Sequence, residues 1–397
     1  MYVKYLFYRC IVDSQNSLSF ICCCFYYLCR KDIKKKCYDN KLIRRLKIML
    51  RYIVFFISVF LFSCSQTVDK NSIDKLFSSC DTLKYTALST GGHLWGKPFS
   101  MKYIDSMLFV YDDIAGENIF HLIDLNHENK VYGLGRKGQG SNEYIMPMEY
   151  LPCGDTAIAV FDYANKKLSV LSIDDFLNKR NEPVVCYKDT FPGTIKLFHT
   201  KYNSELSFGF YDDCMFYLQK NNKILQKIGF FPYRDSQEKQ IENRLRGLAY
   251  QGILQNNPSN DKFVYAVNNA EIVYFYHIDS LAVNKVCEYQ YNYPQYRPMH
   301  KGETRAAPVS VDNIRAFMDA TASDNFVYLL YSGKTYKEDG LKSFEGNIIY
   351  VFDWMGRACR KIILDLPVFR FCVDKEDKAI YAFSNNPDPV LVRFSLP

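Results

Sequence analysis

Histidine is scarce and scattered. The six residues His93, His121, His127, His199, His277 and His300 show no H-x-x-x-H or H-E-x-x-H spacing, which excludes a helix-borne zinc site of the metalloprotease kind. No G-x-S-x-G occurs, so the serine chemistry of a nucleophile elbow has no signal. Charge of one sign is also missing from the body of the chain. The net charge of +7 over 397 residues comes from residues 1–63, where 12 Lys and Arg face three Asp; the remainder carries 38 basic and 40 acidic groups. A nucleic-acid footprint needs a basic face, and a body of net −2 offers none. Long apolar runs are absent too. The run Tyr52 to Phe62 and a second segment, Leu18 to Leu28, are both short for a bilayer span. The cysteines form no framework. Of 14, six lie in residues 1–48, without C-x-x-C pairs or histidines beside them, and the seven after Cys64 are odd in number and scattered, unlike a disulfide scaffold or a zinc site.

What is present begins at Met49 with MLRYIVFFISVFLFSCSQ: a cation at Arg51, the apolar run, then Leu61-Phe62-Ser63-Cys64. This order is that of a secretory signal. Its end resembles a bacterial lipobox, with Phe62 bulkier than usual, and the resemblance implies lipidation of Cys64. Translation is expected to start at Met49, with residues 1–48 an over-extended N-terminus, 49–63 the signal peptide and 64–81 a polar, lipidated tether.

Aromatic residues make up 16% of the chain, with 32 Tyr and 30 Phe, which favours strands. Paired apolar runs around a polar turn recur six times, as in MLFVYDDIAGENIFHLIDL (107–125) and TAIAVFDYANKKLSVLSID (156–174). Taking Asp112, Asp162, Asp212, Asn268, Ser332 and Ser384 as equivalent points, the steps are 50, 50, 56, 64 and 52 residues. One small sheet cannot bury both faces, whereas six packed radially can. The spacing therefore predicts an all-β fold over 82–397: a six-bladed β-propeller of four-stranded antiparallel blades. In the first blade Ser100–Ile104 is the inner strand and Lys130–Leu134 the outer. The last unit stops after three strands, and Asp81–Leu88 reads as the lone strand that completes it, since an open edge would expose backbone donors. Ile241, Leu245 and Leu248 stand at helical spacing, predicting one short helical insertion. Lys334–Gly346 reads as a polar, projecting loop.

GLGRKGQGSNEY (133–144) matches G-x-G-x-x-G. A dinucleotide site needs a helix after the turn to meet the pyrophosphate, and Pro147 followed by a strand-like run leaves no room for it. The glycines are read as a joint between blades, and no nucleotide is expected. Arg136 and Lys137, held out by the joint, either line an anion-receiving rim or are solvated. Asp112, Asp113, Asp162, Asp212 and Asp213 could converge on one face and bind a metal, but an Asp that bonds its own turn is the simpler reading. Asn268, Ser332 and Ser384 break any symmetric ring of acids. No metal or other cofactor is expected.

Gly135–Tyr144, Tyr331-Ser332-Gly333-Lys334, Tyr350–Gly356 and Ala379-Ile380-Tyr381-Ala382 together carry a resemblance to the TolB-like six-bladed β-propeller lipoproteins of Bacteroidetes, over roughly Cys64 to Pro397. The first segment, completed by Met146-Pro147, is also similar to the blade joint of NHL-type propellers. The resemblance implies a protein of the cell envelope, held in the outer membrane by lipid on Cys64; Ser65-Gln66-Thr67-Val68 carries no acidic run, so the periplasmic face is expected rather than the cell surface. It implies little about activity. The leading expectation is a binding module for a protein, peptide or glycan, with Arg136, Lys137, Asp112, Asp113, Asp162 and Asp212 as candidate contacts and no nucleic-acid partner. The alternative is a lactonase-like hydrolase or lyase at the central channel, assisted by Ca²⁺ or Zn²⁺.

Overall fold

Runs such as Met107–Tyr111 and Phe120–Asp124 alternate around short polar turns and pair as antiparallel ladders, Met107 opposite Asp124 and Tyr111 opposite Phe120. The computed structural model describes residues 72–397 other than Ala115, Leu281, Glu303, Asn386 and Pro387. The signal segment, Cys64 and everything else before residue 72 lie outside the described residues. Among those described, no helix is long and apolar enough to cross a membrane.

Six sheets follow one another along the chain, each with its strands in sequence order apart from the two N-terminal strands that join the fifth and sixth. The inner strands are Ser100–Ile104, Pro147–Cys153, Thr194–His199, Gly252–Asn256, Ile314–Ala322 and Arg370–Val373. Five buried clusters span all six seams between neighbouring blades. Phe109, Phe120, Tyr150 and Val160 join blades one and two. Phe161, Phe216, Phe263 and Tyr276 run through blades two, three and four, and Phe275 and Phe352 join four and five. Val351, Ile362, Phe371 and Phe394 join five and six, and Trp95, Val110, Cys372 and Phe383 close six onto one. Each buried large side chain contributes about 1.5–3 kcal/mol, so the aromatic excess is the material of the seams. The ring is a six-bladed β-propeller.

Closure differs from the expected single strand. Cys80–Leu83 pairs in parallel with Lys361–Leu364 as a fifth strand on blade five. The chain then crosses at Lys84, and Tyr85–Ala87 pairs antiparallel with Val392–Phe394 as the fourth strand of blade six. The crossing is pinned by the Tyr85 N–H, which donates to the Asp365 carboxylate at 3.1 Å, and by Leu83, buried among Ile362, Leu364 and Val392. Covering two open edges protects more backbone than one longer strand could. The polar segment before it is also no tether from Ser72 onward. Ile73–Leu76 forms a 3-10 turn with Ile73 fully buried, and Asp74 accepts from Tyr350 Oη at 2.9 Å and Lys361 Nζ at 2.6 Å.

The insertion after blade three is a 3-10 turn, Glu238–Gln240, and a helix, Asn243–Ala249. The Asn243 side chain fastens it, donating to the Tyr211 and Cys214 carbonyls and accepting from the Phe231 N–H. Gly247 lies so near Phe231 that a Cβ would stand 2.5 Å from the ring. Ile173–Asn178 is a further short helix that the periodicity missed, although Ser172 and Asp175 form its capping box. Lys334–Gly346 does not project. Thr335 caps a helical turn at Tyr336–Asp339, a 3-10 turn follows at Gly340–Phe344, and Ser343 is fully buried. The Ser332 hydroxyl donates to the Ser343 carbonyl at 2.8 Å, and Lys334 Nζ donates to the Lys342 and Glu345 carbonyls, which holds it on the ring.

Candidate functional site

Each inner strand sends polar atoms into the channel. Lys102 of blade one donates to Gln255 Oε1 of blade four at 2.6 Å. Lys196 of blade three pairs with Glu149 of blade two at 2.9 Å. Asp319 of blade five accepts from its neighbour Ala320 and, across the seam, from the Phe371 N–H of blade six at 3.0 Å. Burial holds the Lys102 ammonium below the usual lysine range despite the nearby Glu149 and Asp319. Burial likewise raises Asp319 against the attraction of Arg370 and Lys102. Cys372 shares this belt, and burial pushes its thiol well up, which disfavours the thiolate. The belt ties blades together across the axis and narrows the channel to a cavity of about 270 Å³ on the side of the inner hairpin turns.

On the opposite side the channel opens into a mouth of about 950 Å³. An antiparallel blade puts the connections into its inner strand, and the turn between its second and third strands, on this same face. Arg315, Met318, Phe369 and Arg370 line the mouth from the inner strands of blades five and six, with Leu341 and Phe344 from the folded-back segment. The Arg315 guanidinium lies over the Phe344 ring, 4.7 Å from its centre, and donates to Asn269 Oδ1 at 2.5 Å.

The aspartates chosen from the turns do not converge. Asp112 and Asp162 are fully buried at equivalent points of blades one and two. Asp112 accepts from the N–H groups of Gly96, Lys97 and Ile114. Asp162 accepts from those of Ile145, Met146, Ala164 and Asn165. Both pin the incoming segment to its own blade, which is turn chemistry. Asp212 is exposed and holds no such joint. Asp113 accepts from Tyr111 Oη and pairs with Lys137 at 2.7 Å. Among the described residues, no group of three His, Cys, Asp or Glu could hold a metal ion.

The glycine stretch is a joint. Gly135 has φ +73°, and a Cβ there would stand 2.6 Å from the Phe120 ring. Arg136-Lys137 pairs with Glu143-Tyr144 in a two-residue parallel ladder, and the Glu143 carboxylate accepts from the Gly140 N–H. Arg136 is exposed and borders a peripheral groove beside blades one and two with Glu143 and Lys179, away from the mouth.

The model of the TolB-like 6-blade propeller-like family matches residues 77–376. The chain belongs to that family. Solved structures similar to this TolB-like propeller share only its fold. A Bacteroides fragilis protein provisionally assigned as exported is 12% identical with TM-score 0.45, covering 79% of this chain and 98% of its own. Regucalcin, a calcium-binding protein of Agrobacterium tumefaciens, is 9% identical with TM-score 0.45, over 80% and 95% of the two chains. A luciferin-regenerating enzyme is 9% identical with TM-score 0.44, over 79% and 95%. Among curated protein sequences no significant relative matches.

The belt and mouth of this TolB-like propeller were missed in the sequence. A signal for the belt exists: the inner strands SMKYI, PMEYL and TIKLF each carry one charge between apolar neighbours, at Lys102, Glu149 and Lys196. The mouth has no such signal, because Arg315 and Arg370 become neighbours only when blades five and six close.

Proposed function

We propose that this TolB-like propeller is a lipid-anchored protein of the cell envelope that binds a polypeptide on the face around the channel mouth. The observation that carries the reading is the distribution of exposed apolar side chains. Leu94, Ile114, Met146, Phe230, Leu341 and Phe344 are all exposed, Leu94 at 84%, and all stand on connections that the strand order puts on the mouth face. On the opposite face, among the described residues, exposed large apolar side chains are few, Met355 and Leu177 being examples. Apolar side chains concentrated on one face, together with a mouth that mixes apolar walls and cations, are the composition of an interaction surface. Its aliphatic side chains favour a polypeptide over a glycan, and the tryptophans that would stack a sugar, Trp95 and Trp354, are buried. On the belt side burial pushes the Cys372 thiol up, and Lys102 is engaged by Gln255.

A peptide array tests the reading with the compact unit from Lys70 onward. Leu94→Asp and Phe344→Asp are expected to abolish peptide binding, and Met355→Asp to leave it intact. Equal effects on the two faces would overturn it. The anchor is tested separately: Cys64→Ser in the full chain is expected to abolish incorporation of labelled palmitate and to release the protein from the envelope fraction. Labelling that persists would remove the anchor from the proposal.

A further inference from the structure

We infer that Arg315 and Arg370 form a carboxylate clamp at the channel mouth, so that the polypeptide bound there is anchored by an acidic group flanked by apolar residues. The inference rests on the binding reading above and names the chemistry its ligand presents. Both guanidiniums belong to inner strands of adjacent blades, Ile314–Ala322 and Arg370–Val373, and both line the same mouth.

Neither contacts a carboxylate among the described residues. Arg315 is held by a neutral amide, Asn269, and by the Phe344 ring. Burial pulls its pKa below the usual arginine range. Arg370 donates from Nε to the Phe99 carbonyl at 2.5 Å and from Nη1 to the Phe369 carbonyl at 2.6 Å. Those two carbonyls fix the plane of the fork. Asp319 acts on Arg370 through space, but its oxygens accept the N–H groups of Ala320 and Phe371. The one acid lining the mouth, Glu345, accepts from Asn385 Nδ2 at 2.9 Å. Lys97 adds a third cation at the rim, 5.6 Å from the centre of the Phe99 ring. Three cations against one carboxylate leave the mouth positive on a body that is otherwise slightly acidic.

A partly buried guanidinium without a counter-ion, as at Arg315, is costly, and a planar fork held by neutral acceptors, as at Arg370, is preorganised for a carboxylate. The walls beside the clamp are Met318, Leu341, Phe344 and Phe369. A free inorganic anion would leave them wet. A polypeptide carrying Asp, Glu or its own C-terminal carboxylate beside an apolar residue covers the walls and meets the charge together.

Fluorescence polarisation on the unit from Lys70, with labelled peptides, tests this. One set carries Glu between Leu and Phe; a matched set carries Gln; both are made with free and amidated C-termini. The Glu peptides are expected to bind on the order of tenfold more tightly than their Gln partners, the size of a charge-assisted bond. If instead free-terminus peptides bind more tightly than amidated ones whether they carry Glu or Gln, the clamp takes the chain end. Arg315→Gln and Arg370→Gln should erase the preference without weakening the Gln peptides, and Arg315→Lys should restore part of it. Equal binding of Glu and Gln peptides, free and amidated alike, by the wild type would overturn the clamp and leave the polypeptide-binding reading standing. Binding of neither set would overturn both. Inorganic phosphate that displaces the Glu peptide at equal concentration would overturn the peptide as ligand.

Discussion

Asp162 and Asp212 occupy the same point in the sequence repeat, and their replacement by alanine separates structural from solvated acid. Asp162 is fully buried, and its carboxylate receives N–H groups from Ile145 at 2.8 Å, Met146 at 3.2 Å, Ala164 at 3.0 Å and Asn165 at 3.3 Å, with the Asn165 side-chain amide at 3.1 Å. The bonds to Ala164 and Asn165 sit on an exposed turn, where water can replace the acceptor. Those to Ile145 and Met146 hold the joint into blade two. Two charge-assisted bonds at about 1.5–3 kcal/mol each put the cost of Asp162→Ala at roughly 3–6 kcal/mol. Asp162→Asn keeps one acceptor oxygen and should cost about half as much. Exposed Asp212→Ala should stay within about 0.5 kcal/mol. Urea unfolding followed through the buried Trp95 and Trp354 measures all three. A cost under about 1 kcal/mol for Asp162→Ala, or one equal to that of Asp212→Ala, would refute the pinning role. Calcium that stabilises the wild type but not Asp162→Ala would restore a metal at this turn.

Gly135→Ala must take a φ of +73° and place its Cβ against the Phe120 ring. It is expected to lower stability by roughly 1–3 kcal/mol, read by the same unfolding assay. Thr86→Pro removes an N–H from the three-residue closing strand; hydrogen exchange is expected to speed up along Pro389–Ser395 while blade three is unchanged. Burial, together with the nearby His93, holds His121 down to about 4. The folded histidine thus stays neutral while the unfolded one protonates, so stability is lost as pH falls through about 6.5 and continues to fall until about 4. Unfolding free energies of wild type and His121→Phe at pH 7, 6, 5 and 4 should diverge only below about 6.5, by up to about 3 kcal/mol at the acid end. Parallel pH profiles would remove His121 as the cause.

Local pattern carried much of the fold. Ser100–Ile104 and Lys130–Leu134 fall where alternation and turn residues put them, because a half-buried strand shows both its faces in its letters. Asp112, Asp162 and Asp212 look alike in sequence because the repeat specifies a turn, whereas what separates them is the segment that arrives beside each one. Asp81–Leu88 reads as one strand because its alternation is unbroken; its division at Lys84 depends on two edges supplied some 280 residues later. Lys334–Gly346 reads as a loop because its few apolar residues have no period; what seats it is the buried Ser343 and the bonds from Ser332 and Lys334, which no periodicity marks. The mouth is the extreme case: Asn269, Arg315, Phe344 and Arg370 meet only through closure of the ring.

That closure has a consequence in time. Tyr85 bonds Asp365 across 280 positions, and Ser79 meets Lys361, so the segment that emerges first acquires its partners last. Blades one to four can form in order as the chain lengthens, each on the edge of the one before. Blades five and six remain open until the start of the chain returns to them. Long loop closure of this kind is slow, and until it happens the strands Ala358–Val368 and Pro389–Ser395 are adhesive edges. The propeller is therefore most exposed to misassembly in the interval between finishing its last strand and recruiting its first.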